Sequence, residues 1–523
     1  MPRRLALAAI LCATVLGAGL CGQALADGGG AGLTAQQRGV LHGIAAGTWR
    51  FYAADVDPVT HLPLDNLGPG AVRGAYTSAA NIGVYLWAVV AARDLHLITT
   101  ATAQRLASAT LREVATLKRY KGFLYQWYDT ANGNVLLNPG QGDCPATAPT
   151  QENNCGFVSA VDNGWYASGL IVAREALPGV WTLASRLLGD MDFSIFYDNR
   201  PQTGCNTNAS LDGNQPTGQQ YGGYYAEPAP AHPAGYHNGA LYSDPRISMY
   251  IGMGLHQMPG DVWWRTWRTL PPQRCPTDPD FSWQGQWPVP GYWRTITDPQ
   301  SRKPFDVWEG HYVYPSPPGP PITFIPTFGG GMFEGLMANL VVPETQWGTH
   351  SFGLADLRWA QVQERYDTQV LHDPVWGMSP SSTPDDTGNY SAFGVQGLAF
   401  GAGEGLAQDV CAPTPTAPCT TEDAVTPHAS AIALTVIPRD AYANLQALRA
   451  DYPGIYTADG GFYDAVNPHT GSIGHRRLVL DQSMIMAALD DALNHGAIQR
   501  DFARDPVSWA ARRYLSVERM SIH

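Results

Sequence analysis

Eight segments carry the apolar spacing of amphipathic helices, and strand-like alternation is scarce between them. The segments are residues 77–98, 102–120, 159–177, 243–256, 330–340, 355–371, 427–437 and 481–496. The loops that join them are long and rich in Gly, Pro and aromatic residues, and no charged or Ser/Pro-rich run marks a linker. This pattern predicts a single all-α domain, a toroid of helical hairpins over residues 34–505.

The chain begins with the features of an export signal. A basic MPRR stretch precedes an apolar run, and Ala24-Leu25-Ala26 has the A-x-A pattern of a cleavage site. We therefore expect residues 1–26 to be a signal peptide, residues 27–33 a flexible N-terminus and residues 506–523 a C-terminal tail. No later segment is long and apolar enough to span a membrane. The expected location is outside a bacterial cell or in its envelope.

Six cysteines remain after the signal peptide, and an even number in an exported chain predicts disulfides. Several connectivities are open. Nearness in sequence favours Cys144 with Cys155 and Cys411 with Cys419, which leaves Cys205 with Cys275. None of these pairs has the spacing of a zinc site.

The net charge of −13 and the absence of a basic stripe argue against a nucleic-acid partner. The loop between residues 257 and 328 contains seven of the 16 tryptophans. Aromatic rings in the loops of an exported protein indicate a neutral carbohydrate ligand, although the same rings could simply anchor the loops to the body. We expect a monomer acting on an oligo- or polysaccharide.

Common catalytic signatures are missing from the sequence. It contains no GxSxG, HExxH, Walker A or dinucleotide-binding motif, and its histidines lack metal-ligand spacing, so we expect no metal or organic cofactor. What remains is carboxylates in apolar surroundings, such as Glu334 in FGGGMFEGLMANLVVP. Paired carboxylates without a cofactor are typical of glycosidases.

Ten short sequence motifs follow one another between residue 77 and residue 496: TSAANIGVYLWAVVAARDL, GFLYQWYDTANG, VSAVDNGWYASGL, MDFSIFYD, YSDPRISMYIGMG, GGMFEGLM, VWGMSPSS, YSAFGVQGL, GGFYDAVNP and LDQSMIMAALDDALNHG. In this order they resemble motifs of the bacterial glycoamylase-like family, which includes endo-β-1,2-glucanases and a domain of cyclic β-1,2-glucan synthases. The resemblance implies an (α/α)6 barrel with its site at the mouth of the inner-helix cavity. It also implies hydrolysis or transglycosylation of glycosides.

The resemblance assigns roles residue by residue. It implies Asp244 and Glu334 as the catalytic pair and Asp162 as an acid that orients water or substrate. The implied substrate-binding residues are Arg246, Trp127, Tyr225, Trp376, Tyr390 and Asp464. At two positions this chain departs from the family pattern: Asp244 and Pro380 each stand where the family has a glutamate. These departures argue against assuming a β-1,2-glucan substrate.

Each acid also has a purely structural interpretation. Asp162 could complete a capping box with Ser159, Asp244 could cap the helix that follows it, and Glu334 could pair with Arg246. If Asp244 and Glu334 do flank the bond to be cleaved, a gap of about 5–5.5 Å predicts retention and about 6.5–9.5 Å predicts inversion. The short side chain of Asp244 favours the wider gap.

Two other functions remain open at the level of sequence. The first is a non-catalytic carbohydrate-binding protein on the same scaffold, suggested by the two lost glutamates. The second is a polysaccharide lyase, which would need a base such as Tyr242 beside Arg246.

Overall fold

The computed structural model describes residues 32–201, 217–269, 289–315, 319–395 and 423–522. Its α-helices are α1 (Ala35–Asp55), α2 (Ala79–Asp94), α3 (Thr100–Val114), α4 (Ala160–Ala176), α5 (Trp181–Gly189), α6 (Arg246–Gly254), α7 (Asp261–Arg265), α8 (Met332–Leu336), α9 (Glu344–Trp347), α10 (Phe352–Arg365), α11 (Pro427–Ala433), α12 (Pro438–Asp451), α13 (Val479–Leu493), α14 (Ala497–Arg504) and α15 (Trp509–Val517). Short 3₁₀ turns lie at Pro69–Ala71, Pro178–Val180, Phe193–Phe196, Phe328–Gly330, Met337–Leu340, Pro453–Ile455 and Pro506–Ser508, and a π-helix at Tyr366–Leu371.

The strands of the described residues are short, and they form small sheets of two or three strands. They are β1 (Asn66–Leu67), β2 (Arg73–Gly74), β3 (Tyr76–Thr77), β4 (Arg119–Tyr120), β5 (Phe123–Leu124), β6 (Tyr128–Asp129), β7 (Phe157–Ser159), β8 (Gly223–Tyr225), β9 (His232–Pro233), β10 (Gly291–Thr297), β11 (Pro304–Gly310), β12 (Tyr312–Tyr314), β13 (Ile322–Phe324), β14 (Ser381–Ser382), β15 (Tyr390–Ser391), β16 (Tyr456–Thr457), β17 (Gly461–Phe462), β18 (Ala465–Val466), β19 (Ile473–Gly474) and β20 (Arg477–Leu478). Three-stranded sheets have the orders β2-β1-β20 and β7-β8-β9. The pairings between these strands are antiparallel.

Each of the eight predicted segments contains a helix, but several boundaries differ. Helix α3 ends at Val114, and residues 119–120 of the same predicted segment form β4 instead. The predicted helix over 330–340 is one α-turn, α8, followed by a 3₁₀ turn. The eight segments do not include α1, α5, α7, α9, α12, α14 and α15, and the prediction was wrong to leave the β10–β11 hairpin as loop.

The helices α2 and α4 lie in contact at the centre of the core. Every residue of α2 from Ala79 to Ala92 is buried. A Cβ on Gly83 would lie 2.3 Å from the carbonyl oxygen of Trp165, and one on Gly169 equally close to the carbonyl of Gly83. These two glycines therefore allow the close contact of the two helix backbones.

The central helices contact one another in a fixed order. Helix α2 packs against α4 and α13, α4 also packs against α6, and α11 packs against both α13 and α8. Arg246, the first residue of α6, donates to the backbone carbonyls of Glu334 and Gly335 in α8. Helices α3, α5, α12 and α15 each lie against one of these central helices. The molecule is thus helix-rich, with several short strands, and the (α/α)6 barrel itself stays a prediction.

The described tryptophans of the 257–328 region mainly pack the body, as the structural interpretation proposed, and Trp283 and Trp287 lie outside the described residues. Trp263, Trp264, Trp267 and Trp308 are buried, whereas Trp293 on β10 is 49% exposed. Trp264 donates to Asp298, which also accepts a hydrogen bond from Tyr514. The segment that we expected to be a C-terminal tail therefore contributes α15 to the core.

One predicted disulfide is confirmed: Cys144 and Cys155 are bonded. The predicted signal peptide and Cys205, Cys275, Cys411 and Cys419 lie outside the described residues. Among the helices that are described, none combines the length and hydropathy that a membrane span requires.

Candidate active site

Two carboxyl groups meet where α6 and α8 begin. Asp244 lies just before α6 and Glu334 in the first turn of α8, and their side chains are close enough to act on each other's pKa. Both side chains are partly accessible, yet both are surrounded by protein closely enough to lose much of their hydration. We infer from this combination that they line a cavity of the protein.

Burial and mutual repulsion favour retention of one proton by this pair. Burial raises the pKa of Asp244 to about 6. The pKa of Glu334 is raised well above its usual value by burial and by the nearby carboxyl group of Asp244. Two neighbouring carboxyl groups cannot both ionise cheaply, so ionisation of one favours the protonated form of the other. The stronger rise is at Glu334, which favours Glu334 as the acid and Asp244 as the carboxylate.

The gap between these two acids, about 5 Å or more in retaining and inverting pairs, stays a prediction.

The predicted helix cap is wrong. Pro245 occupies the cap position of α6 without any side-chain bond, and Asp244 instead accepts from the indole N–H of Trp165 at 3.3 Å.

Neighbouring groups hold both acids in place. The Ser243 hydroxyl donates to Oε2 of Glu334 at 2.6 Å, and the Asp244 amide donates to the same carboxyl group. The flexible glutamate side chain is thus fixed from the α6 side. Ser243, which the resemblance mentions only as part of a motif, is a site residue that sequence reasoning missed.

Asp162 lies beside this pair, in the first turn of α4. The Ser159 side chain caps α4 by accepting from the Asp162 amide, so that part of the structural interpretation is confirmed. The Asp162 carboxylate accepts from Gln126 at 3.0 Å, and burial raises its pKa. The charge of Asp162 in turn raises the pKa of Asp244, so the two face the same cavity.

Arg246 does not bind substrate in this structure, contrary to the resemblance. Its side chain is completely buried and makes a two-pronged ion pair with Glu344, with both N–O distances 2.8 Å. It also donates to the carbonyls of Ser243, Glu334 and Gly335. Glu334 is therefore not the ion-pair partner of Arg246. Instead, Arg246 joins the two backbone segments that carry the acids.

The predicted aromatic subsite residues divide into two groups. Trp127 contacts Tyr76 edge-on, Tyr225 on β8 pairs with Phe157 just before α4, and both remain partly accessible near Asp162. Trp376 instead is 5% exposed, and its backbone is tied to the side chain of Asn444. It packs in the core and offers no face to a sugar.

Tyr390 shows how far the cavity extends. The ring is 49% exposed, yet the pKa of its phenol is raised by burial and by the charges of Asp481, Asp464, Glu334 and Asp65. A group that is accessible and poorly hydrated at once lies inside a cavity. Tyr390 therefore connects the Asp244–Glu334 pair with a second set of acids.

That second set is also a carboxyl pair. Asp464 and Asp481 are each 1% exposed and close enough to act on each other's pKa, and Asp464 accepts from the Ser382 amide at 2.6 Å. Burial and the neighbouring Asp464 raise the pKa of Asp481 well above its usual value. Only Asp464 was predicted from the sequence. Asp481 lies in the first turn of α13, and the apolar pattern of that helix gives no sign of a functional acid. Nothing in the sequence marks it as a partner of Asp464.

Replacing Asp481 by Asn is expected to raise the melting temperature at pH 8 and to leave it unchanged near pH 4. The folded protein holds a proton on Asp481 that the unfolded chain releases above the ordinary aspartate pKa of about 3.9. The free energy of unfolding of the wild type therefore falls as pH rises through and above that value, and Asn removes this loss. Melting curves of wild type and variant across this pH range measure the effect. A substitution that lowers the melting temperature at pH 8 more than at pH 4 would contradict the prediction.

Two groups of potential metal ligands occur among the described residues. His428, Asp464 and Asp481 form one, and Asp373, Asp423 and His469 form the other. In the first, burial lowers the pKa of His428 to about 3. These groups come together only through the fold, so histidine spacing in the sequence could not indicate them.

Part of this chain is similar in sequence to known glycoamylase-like proteins. Residues 348–506 match the Glycoamylase family model, described as "Putative glucoamylase". A stretch of 154 residues is 30% identical to the cyclic β-(1,2)-glucan synthase NdvB of Rhizobium meliloti, covering 28% of this chain and 5% of the synthase. The predicted resemblance to the glycoamylase-like family is confirmed.

Solved glycoamylase-like structures share the fold over nearly the whole chain. A protein described as a "putative glucoamylase" from Bacteroides fragilis superimposes with a TM-score of 0.61 at 14% identity, covering 93% of this chain and 97% of the other. The endo-β-1,2-glucanase of Chitinophaga pinensis, in complex with sophorotriose and glucose, gives a TM-score of 0.59 at 14% identity, with 93% and 98% covered. At these identities the likeness concerns the fold.

Proposed function

We propose that this protein is a secreted glycoside hydrolase that cleaves β-1,2-glucan, with Glu334 as the general acid. The observation that carries the proposal is the pair of neighbouring carboxyl groups of Asp244 and Glu334. A glycosidase needs a carboxylic acid that stays protonated near neutral pH to protonate the leaving oxygen. Glu334 has that property because Asp244 is ionised beside it.

We assign the second carboxylate of the mechanism to an acid outside this pair, because Asp244 acts by ionising beside Glu334. Asp162 is partly accessible and held by Gln126, whereas Asp464 is 1% exposed. Asp162 is therefore the candidate for the base that activates water. Asp162→Asn should lose about 10²-fold or more in kcat, and Asp464→Asn should lose less.

The β-1,2-glucan substrate is supported by the relatives and by the site. The Chitinophaga pinensis neighbour is an endo-β-1,2-glucanase, and the Rhizobium meliloti relative is a cyclic β-(1,2)-glucan synthase. Trp127, Tyr76 and Tyr390 offer partly accessible rings that suit the apolar faces of glucose residues. The aspartate at 244 is compatible with this substrate, because its task here is to ionise beside Glu334.

We also infer that the central helices are the inner ring of an (α/α)6 barrel. The contacts run from α2 to α4 and α6, and from α8 to α11, α13 and back to α2. Arg246 and Ser243 supply the link between α6 and α8. Asp162, Asp244 and Glu334 lie at or near the N-terminal ends of α4, α6 and α8, which agrees with one shared mouth.

Incubation with β-1,2-glucan is expected to yield shorter oligosaccharides, each cleavage adding one water. A panel with β-1,3-glucan and starch, read by mass spectrometry, tests the linkage; Glu334→Gln is the matched control for contaminating activity. Equal release from starch would overturn the β-1,2 assignment. Tight β-1,2-glucan binding without turnover would favour the carbohydrate-binding alternative.

The two residues on which the lyase alternative was based are not accessible to a substrate. Tyr242 is completely buried and donates to Asp356 at 2.8 Å, and Arg246 is completely buried as well. Neither side chain can contact a sugar. We therefore expect no unsaturated product, and new ultraviolet absorbance during turnover would contradict this.

A further inference from the structure

Three loops outside the cavity bring Asp373, Asp423 and His469 together. Asp373 follows the π-helix, Asp423 precedes α11 and His469 lies in the turn between β18 and β19. Their donor atoms all lie within 4.8 Å of one another. None of the three has a role in the proposed hydrolysis.

The two carboxylates are buried without enough positive charge. The side chains of Asp373 and Asp423 are 1% and 0% exposed, and a third buried acid, Asp367, adds its negative charge. The basic side chain in contact with both carboxylates is His469. Uncompensated carboxylates in the interior cost several kcal/mol unless they are protonated, paired or bound to a metal.

Asp423 also lacks good hydrogen-bond donors. Neither of its oxygens accepts a well-formed hydrogen bond, and Oδ2 of Asp373 accepts none either. The Ala424 amide and the Asp373 carboxyl group lie only near enough to influence the pKa of Asp423. Buried polar atoms are nearly always satisfied, so these oxygens indicate a missing partner.

The distances fit tetrahedral coordination. Nε2 of His469 lies 3.0 Å from Oδ1 of Asp373 and 3.5 Å from Oδ2 of Asp423. Zinc bonds to imidazole and carboxylate are about 2.0–2.2 Å long, which puts neighbouring ligands of a tetrahedron about 3.3–3.6 Å apart. A metal ion can therefore occupy the cluster with small side-chain movements.

We propose that Asp373, Asp423 and His469 bind a divalent ion of the zinc type, as a structural site that joins the three loops. The imidazole disfavours calcium and magnesium, which take oxygen ligands, and favours zinc. His469 is 30% exposed, so the ion can enter from solvent and a water can complete its coordination.

The site would stabilise a wall of the cavity without taking part in the chemistry. The Asp423 loop is already tied to its neighbours, because Val425 pairs with Val466 and the Thr426 amide donates to Gly377. A metal at Asp423 adds a third connection to the same loop. Binding of metal and hydrolysis of glucan can therefore fail independently.

Calorimetric titration of tag-free, chelator-treated protein with zinc tests the proposal. We expect one equivalent to bind and the melting temperature to rise. His469→Ala and the isosteric Asp423→Asn should each weaken binding by more than about 100-fold, beyond the loss seen when an outer partner of a ligand is removed. Cobalt should give the visible absorption of a tetrahedral site.

His475→Ala is the matched control, because His475 contacts a single carboxylate, Asp386, at 2.9 Å on the surface. It should bind zinc like the wild type. Circular dichroism confirms that each variant is folded. No zinc binding by the wild type, or equal binding by His469→Ala, would show that the cluster is only an ion pair and overturn the proposal.

Discussion

Glu334→Gln is expected to lower kcat on β-1,2-glucan by about 10²–10⁴-fold, the usual contribution of positioned acid–base catalysis. The amide keeps the shape of the side chain and can still contact Ser243 and Asp244, but it has no acidic proton to give to the leaving oxygen. KM should change little, because binding to the rest of the cavity is preserved. Steady-state kinetics on purified, folded variant measure both values.

Glu364→Gln is the control for this experiment. Glu364 on α10 also has a pKa raised by burial, but it lies near Asp440 of α12 and has no contact with the acids of the cavity. Its substitution should leave kcat within about twofold of wild type, since surface-side changes away from the site are usually mild. Full activity of Glu334→Gln would remove Glu334 from the chemistry.

Glu344→Ala is expected to lower the free energy of unfolding by about 3–5 kcal/mol, the usual cost of breaking a buried ion pair from one side. The substitution leaves the guanidinium of Arg246 buried without its carboxylate, and it also removes the acceptor of the Tyr250 hydroxyl. Urea titration of wild type and variant measures the difference.

The exposed pair of Arg73 and Asp57 provides the comparison. These side chains are 4.0 Å apart and Arg73 is 42% exposed, so Arg73→Ala should change stability by about 1 kcal/mol or less. Equal effects of the two substitutions would contradict the role given to the Arg246–Glu344 pair.

Tyr250→Phe is a milder change, because it removes only the hydrogen bond from the Tyr250 hydroxyl to Glu344. Glu344 holds Arg246, which in turn donates to the carbonyls of Ser243 and Glu334. We therefore expect Tyr250→Phe to lower kcat more than it raises KM.

Helices and helix caps that depend on residues close together in the sequence could be predicted from it. The long apolar periodicity of α2 and α4 gave both helices, and the Ser159 cap follows from its position three residues before Asp162. Helix α1 was missed because Gly39, Gly43 and Gly47 interrupt its pattern. In the structure, Gly47 allows the close contact with Tyr456 that helps to bury this helix.

Long-range pairing could not be predicted in the same way. Glu334 was predicted from the sequence to be an acid without an ordinary structural role, but its neighbours and the partner of Arg246 depend on which helices meet. Arg246 pairs with Glu344, 98 residues along the chain. Asp481 joins Asp464 from a different element, and neither carries a sequence signal for the other. Trp376 matched a motif, yet burial removed it from the site.

The most direct test of the account is the pH profile of kcat/KM for wild type and Asp244→Asn on β-1,2-glucan. Activity of the wild type should fall on the alkaline side as Glu334 loses its proton. The charge of Asp244 helps to raise the pKa of Glu334, so Asn should move the alkaline limb to lower pH. An alkaline limb that stays in place, or that moves to higher pH, would contradict the shared proton on which the proposed mechanism depends.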